Sequence, residues 1–212
     1  MLLTKKKYSN ALKILLILGF GYFFWLMFQI TVEYIPLKAD VSFLMIKQTE
    51  VTDRPEYLPF FYTHVYTSIF VLLFGFFAIL RKNFGVQNFH RSVGKAYIFL
   101  LLIFSAPAGI YMGLFANGGF FSKTSFVILG CLWWFTTYKA YQLAKQKKFA
   151  PHKQWMWRSF ALTLSAITLR MWKVIIVYLF HPNPMDVYQI IAWLGWIPNI
   201  LLIEFLITKK IL

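Results

Sequence analysis

The chain has 212 residues, of which 59% are hydrophobic and 21% aromatic, and its mean hydropathy is +0.61. This excludes a soluble domain: apolar runs of about 20 residues recur along the whole length, as in a multi-pass helical membrane protein. The net charge of +15 does not indicate nucleic acid, because the cations gather in short loops on one side of the proposed membrane, with anionic lipid headgroups as their ordinary neighbours.

In chain order, Lys5, Lys6 and Lys7 precede an apolar run from about 11 to 35. It is too long for a signal-peptide core, and it ends in Phe24-Trp25-Leu26-Met27-Phe28 with no small-residue cleavage pattern. It reads as a retained first span. Residues 36–57 are the longest polar segment, with Pro36, Asp40, Glu50, Asp53, Pro55 and Glu56, and form the main outer loop; Val41 to Ile46 suit a short interfacial helix. A second span covers about 58–80, ended on the inner side by Arg81-Lys82-Asn83, and a third covers 92–115 after His90-Arg91. The turn Asn117-Gly118-Gly119 lies outside. A fourth span covers 122–143 and ends in Lys145, Lys147 and Lys148. A fifth covers 154–180, stopped by His181-Pro182-Asn183-Pro184, and a sixth covers 187–207 ahead of Lys209-Lys210.

The expected fold is therefore all-α, a single bundle of six transmembrane helices with both termini cytoplasmic, in the inner membrane. Sixteen of the 22 Lys and Arg fall at the inner ends: 5, 6, 7, 13, 81, 82, 91, 95, 139, 145, 147, 148, 153, 158, 209 and 210. Trp155, Trp157, Trp193 and Trp196 near span ends suit an interfacial belt. No alternating ten-residue pattern supports a β-barrel, and no internal repeat stands out. Cys131 is the only cysteine, so an intramolecular disulfide and a Cys-rich metal site are excluded; it reads as a small core residue.

The segment 152–170, read as one helix, places His152, Met156, Ser159, Thr163, Ala166 and Arg170 at steps of three or four on one face. Its span of about 27 Å matches a bilayer core. A polar stripe across a membrane, with an ionisable group at each end, marks a functional face.

Two clusters of residues carry chemistry. At the inner end, His90 and His152 open neighbouring spans, with Arg158 and Lys153 nearby. Two imidazoles from different helices could ligate a haem b whose propionates pair with Arg158, and Gly94 one turn past His90 permits close approach of a flat group. A divalent metal has no carboxylate close by in sequence to complete its site, so no metal centre is assigned. The bland alternative seats both histidines among lipid phosphates or loop carbonyls. At the outer end, His64, Arg170 and Lys173 form a cationic pocket for an anion, a carboxylate substrate or a haem propionate, with His64 as ligand or proton carrier. The alternative there is an Arg170 that pairs with Glu33 or outer carbonyls and only locks helices together. Glu204 is expected to pair with Lys209 or an inner-loop cation, and Pro107 with Gly109 and Gly113 to kink the third span. Walker, Gly-x-Ser-x-Gly and His-Glu-x-x-His motifs are absent, leaving ATP hydrolysis, serine-hydrolase chemistry and zincin proteolysis without support.

Four elements in order carry a resemblance: His64 with Gly75, His90-Arg91-x-x-Gly94-Lys95-x-Tyr97, His152-x-x-Trp155-Met156-x-Arg158-Ser159, and Thr168-Leu169-Arg170. Over about residues 58–172 the chain resembles the bacterial membrane-protein family filed as domain of unknown function 2306. The resemblance implies which residues matter without implying an activity. Lys95 and Lys153 stand where that family has Arg, which keeps the charge and loses the planar fork. Histidines at helix ends also suggest an analogy to two-haem b cytochromes.

Three functions follow as expectations. One is a haem b or quinone-linked redox component, with His90, His152 and Arg158 at the inner site and His64 at the outer. A second is an anion or proton-coupled transporter using Arg170, His64 and Lys173. A third is a structural or assembly subunit whose buried polar groups fix helix packing.

Overall fold

The computed structural model describes the backbone of residues 2–79 and 87–211, and side chains within 14–79, 89–183 and 185–211. Arg81, Lys82 and Asn83, read above as the inner end of the second span, lie outside the described residues. Among those described, the chain is all-α with no strand.

Helix α1 (Leu2–Val32) leads to a 3-10 turn (Ser42–Lys47) and the short α2 (Gln48–Asp53). Then come α3 (Tyr57–Ile79), α4 (Gln87–Leu100), a π turn (Leu101–Ser105) and α5 (Ala106–Leu114). They are followed by α6 (Gly119–Lys145), α7 (Phe149–Thr163), α8 (Ser165–Phe180), α9 (Pro184–Leu194) and α10 (Ile197–Thr208). Among the described residues, five helical stretches are long and apolar enough to cross a membrane: Ile14–Val32, Tyr57–Ile79, Phe89–Leu114, Phe149–Phe180 and Met185–Thr208. The expected fourth span is α6. At 27 residues it is about 40 Å long, yet it falls short in apolarity. The reason is its inward face, where Ser122, Ser125, Trp133, Thr136 and Thr137 are buried against other helices.

Consecutive long helices run antiparallel. Phe20 stacks on Phe76 while Tyr34 meets Phe61. His64 pairs with Ser105 at one level of α3 and His90 with Ala78 at the other. On α6, Trp133 meets Thr163 and Ala140 meets His152, and on α7 and α8, Arg158 meets Glu204 and Thr168 meets Gly195. One end of the bundle thus gathers Ile79, His90, Lys145, His152 and Thr208. This is the basic end. The other gathers Val32, Tyr57, Leu114, Gly119, Phe180 and Met185, and carries the 33–56 loop.

Three irregularities shape the interior. Pro107 has no N–H, and the π register before it leaves the Leu102 carbonyl to accept from Trp134 Nε1 at 3.1 Å. At Leu164 the helix expected over 152–170 is divided: Thr163 and Thr168 hydroxyls bond carbonyls four residues back, and Thr168 also bonds Gly195 O. Such back-bonding bends helices, so the polar stripe is not one straight face. A third break at Gly195 separates α9 from α10, and there a Cβ would meet Leu169 Cβ at 2.9 Å.

Several smaller expectations are corrected. Cys131 is exposed on α6, not buried. Trp196 is buried, with its indole donating to Ser125 Oγ (3.0 Å), and so belongs to the core. The segment expected as an interfacial helix is the Ser42–Lys47 3-10 turn, and it docks on the bundle: Lys47 is buried, donates to Glu50 at 2.7 Å, and also donates to the Phe115 carbonyl. Burial pushes the Glu50 carboxyl up, but the Lys47 hydrogen bond and charge outweigh this and hold it below the ordinary 4.5. A carboxylate whose folded value is depressed contributes stability that is present above 4.5 and lost as pH falls through the lower folded value. Thermal scans should therefore place wild type above Glu50→Gln at neutral pH, with the gap closing under acid; a gap that is the same at pH 3 and pH 7 would remove this role.

Candidate functional site

At the basic end, His90 and His152 sit in the first turns of α4 and α7. Each ring is tied back to the helix before it, His90 Nδ1 to Ala78 O at 3.1 Å and His152 Nδ1 to Ala140 O at 2.8 Å. A carbonyl only accepts, so Nδ1 carries the hydrogen in both rings and Nε2 is the basic atom. That is the arrangement in which a metal-ligating histidine is oriented by its surroundings.

Seven residues on, along the same stripes, the two helices touch. Tyr97 Oη bonds Ser159 Oγ (2.6 Å) and Thr163 Oγ1 (2.9 Å), Thr137 Oγ1 bonds Ser159 Oγ (2.6 Å), and Trp133 Nε1 donates to Thr163 Oγ1 (2.9 Å). All five side chains are buried. One heptad drifts only about 20° around a helix and rises about 10.5 Å. His90 and His152 therefore lie on the two facing stripes, about two turns nearer the basic end. Gly94 lies between His90 and Tyr97, and a Cβ built on it would meet nothing within 4 Å. There is room beside the histidine stripe.

The contacts also expose an internal correspondence that the sequence reading missed. The two histidine–alanine bonds each span 12 residues. Tyr97 and Ser159, which touch, are 62 residues apart, and the same offset relates His90 to His152 and Ala78 to Ala140. It also relates Gly75 to Thr137. Tyr97 packs on Gly75, where a Cβ would meet Tyr97 Cε2 at 2.8 Å, just as Ser159 bonds Thr137. The hairpin α3–α4–α5 and the hairpin α6–α7–α8 thus repeat one plan, and equivalent positions meet where the hairpins join. Only a few identities survive (His, Ala), because the repeated quantity is the contact pattern; that is why the chain reads as repeat-free.

Arg158 is engaged elsewhere. Its Nε and Nη2 grip Glu204 on α10 at 2.5 and 2.8 Å, and its guanidinium lies 4.7 Å from the Trp155 ring centre. Glu204 thus pairs with Arg158 rather than Lys209, because α10 runs antiparallel to α7 and brings the two level. Lys153 stays exposed at the histidine end.

Toward the loop end, His64 packs on Gly109, where a Cβ would meet its ring at 2.9 Å, and its Nδ1 bonds Ser105 O at 2.8 Å. Thr67 Oγ1 bonds Ser105 Oγ at 2.6 Å beside it. Arg170 lies on α8 and is exposed. Its Nη1 donates to Ala166 O of its own helix at 2.8 Å, and among the described residues no carboxylate pairs with it, Glu33 included. Lys173 Nζ sits 5.5 Å over the Tyr188 ring. His181 caps α8 in the left-handed region (φ 46°) and is exposed. The structure places His90 and His152 at the basic end and His64, Arg170 and Lys173 toward the loop end, while Arg158 belongs to an ion pair. Sequence reasoning missed Trp133, Thr137 and Tyr188; the only signal was polar residues inside an apolar run. No group of three or more His, Cys, Asp or Glu poised for a metal ion occurs among the described residues.

A bundle of apolar helices with its polar groups turned inward and cations at one end is a multi-pass membrane protein. Residues 61–207 match the family described as "Predicted membrane protein (DUF2306)", and the chain belongs to that family. No curated protein and no solved structure matches it.

Proposed function

We propose that this protein is a redox component of the inner membrane that holds a haem b at its basic end between His90 and His152. The observation supporting this is the matched pair of imidazoles, each fixed through Nδ1 to a backbone carbonyl with Nε2 as the basic nitrogen. The space at Gly94 and the exposed Lys153 fit a flat group with acidic substituents. Arg158 fits less well as a propionate partner, because Glu204 already holds its fork. Haem supplies one-electron transfer when bound; the chain's own part is to orient two imidazoles and exclude water below them with the Tyr97 layer. An absorption spectrum of detergent-purified protein from haem-sufficient cells, oxidised and then reduced with dithionite, is expected to show a Soret band with sharp α and β bands. A featureless spectrum from folded protein would sink this reading.

Together with the five apolar stretches, α6 completes six crossings in this proposal, with the basic end and both termini in the cytoplasm. Reporter fusions at Lys148 and Asp53 should then report opposite sides; the same side for both would refute it. A second reading, an anion or proton-coupled transporter, draws on Arg170 and His64, because a cation placed about 15 Å from its helix end with no acidic partner among the described residues is costly to keep.

A further inference from the structure

One face of the repeat is covered by a helix and its counterpart is not. In the second hairpin α9 packs against both α6 and α8. Ser125 Oγ donates to the Ala192 carbonyl at 2.7 Å, Phe121 packs on Trp193 with ring centres 5.2 Å apart, and a Cβ on Gly195 would meet Leu169 Cβ at 2.9 Å. The contact uses small residues, Ala192 and Gly195, which let two helix backbones approach closely. Moved back by the 62-residue offset of the repeat, Phe121, Ser125 and Leu169 become Pro59, Thr63 and Pro107 of the first hairpin.

Those three residues line one groove. A cleft of about 240 Å³ runs between α3 and α5, with Pro59, Phe60 and Thr63 on one side and Phe104, Pro107 and the buried Ala108 on the other. It lies beside the π turn and Pro107, where the helical ladder is interrupted. Its lining carries no ionisable side chain, and Thr63 supplies its only hydroxyl. Thr67, Thr137, Thr163 and Thr168 each turn their hydroxyl back to a carbonyl one turn earlier. Thr63 does not: its hydroxyl is accessible and makes no hydrogen bond among the described residues. It lies within the apolar stretch Tyr57–Ile79, about 9 Å along α3 from Tyr57. At that depth lipid gives a hydroxyl no acceptor, and leaving it unpaired is costly. Its counterpart Ser125 meets the same need with a carbonyl of α9.

We propose that this groove is the docking site for a transmembrane helix of a partner protein, seated on the first hairpin as α9 is seated on the second. The partner helix is apolar, carries Gly, Ala or Ser where it crosses Thr63, and offers an oxygen there to accept from Thr63 Oγ1. The chain's own α1 is not the occupant, because it packs on the other side of α3, through Phe20 on Phe76 and Tyr34 on Phe61. The groove lies about 22 Å along α3 from the contact of Ala78 with His90, and it stands whether or not haem binds at that end.

The test is site-directed photo-cross-linking of the full-length chain in intact membranes of the cells that natively make it. The photoreactive residue p-benzoylphenylalanine replaces Phe104 on the groove wall or, as a control, Phe28, which is exposed on α1. Phe104 should give a discrete adduct to another protein, mapped by mass spectrometry to an apolar transmembrane segment with a small residue within one turn of the cross-link. Phe28 should not give that adduct. Thr63→Val, which exchanges the hydroxyl for a methyl, should lower the yield about two- to tenfold, the worth of one neutral hydrogen bond, and Thr63→Ser should restore it. Thermal unfolding of each variant in detergent checks that the fold is kept. Lipid adducts alone at Phe104, the same protein adduct from Phe28, or a yield indifferent to Thr63→Val overturns the site. An adduct of twice the chain's mass would make the groove a self-association face and overturn the separate partner.

Discussion

Tyr97→Ala should be among the most destabilising single substitutions in this chain. The side chain is fully buried and its hydroxyl lies at the centre of the layer that joins α4, α6 and α7, in contact with both Ser159 and Thr163. Truncating a buried aromatic costs about 3–5 kcal/mol through lost contacts and the cavity left behind. Here Ser159 Oγ, Thr163 Oγ1 and Thr137 Oγ1 also lose part of their network, at about 1–3 kcal/mol for a buried polar group left unpaired. Tyr97→Phe separates the two contributions, because it keeps the ring against Gly75 and removes only the hydroxyl; a loss of about 1–3 kcal/mol is expected. Denaturant or thermal unfolding in detergent measures both. If Tyr97→Phe were as stable as wild type, the layer would be packing alone, and the polar network would have no energetic part in joining the hairpins.

The second large effect concerns the histidines, and it is all or none. On the haem reading His90→Ala and His152→Ala should each abolish the Soret band, since these two imidazoles would hold the group, whereas His64→Ala should retain it. The distinction follows from the 62-residue correspondence. His90 and His152 are counterparts fixed by counterpart carbonyls, but the counterpart of His64 is Phe126, so the correspondence supplies no second imidazole beside it. Loss of the band in His64→Ala but not in His152→Ala would move the cofactor to the other end of the bundle. Far-UV circular dichroism of each variant distinguishes lost ligation from lost fold.

The sequence by itself determined the class of this protein. Runs of about 20 apolar residues, the cations clustered at Lys145, Lys147, Lys148, Lys209 and Lys210, and the histidines at helix starts are one-dimensional signals, and helices satisfy their backbone locally, so their bounds are legible without a fold. Three features are set only in three dimensions. Whether Arg158 faces a ligand or Glu204 depends on a register set between residues 46 positions apart. The 62-residue correspondence is carried by who touches whom, with Tyr97 answered by Ser159 and Gly75 by Thr137, so side-chain identity conceals it. The division of the 152–170 stripe at Leu164 accompanies Thr163 and Thr168 hydroxyls that bond carbonyls four residues back, with Thr168 also bonding the Gly195 carbonyl beyond α9. Only the tertiary structure decided that Arg170 stands without a carboxylate partner among the described residues while Arg158 stands in a pair, since partnership is a property of packed helices and no spacing along one chain encodes it.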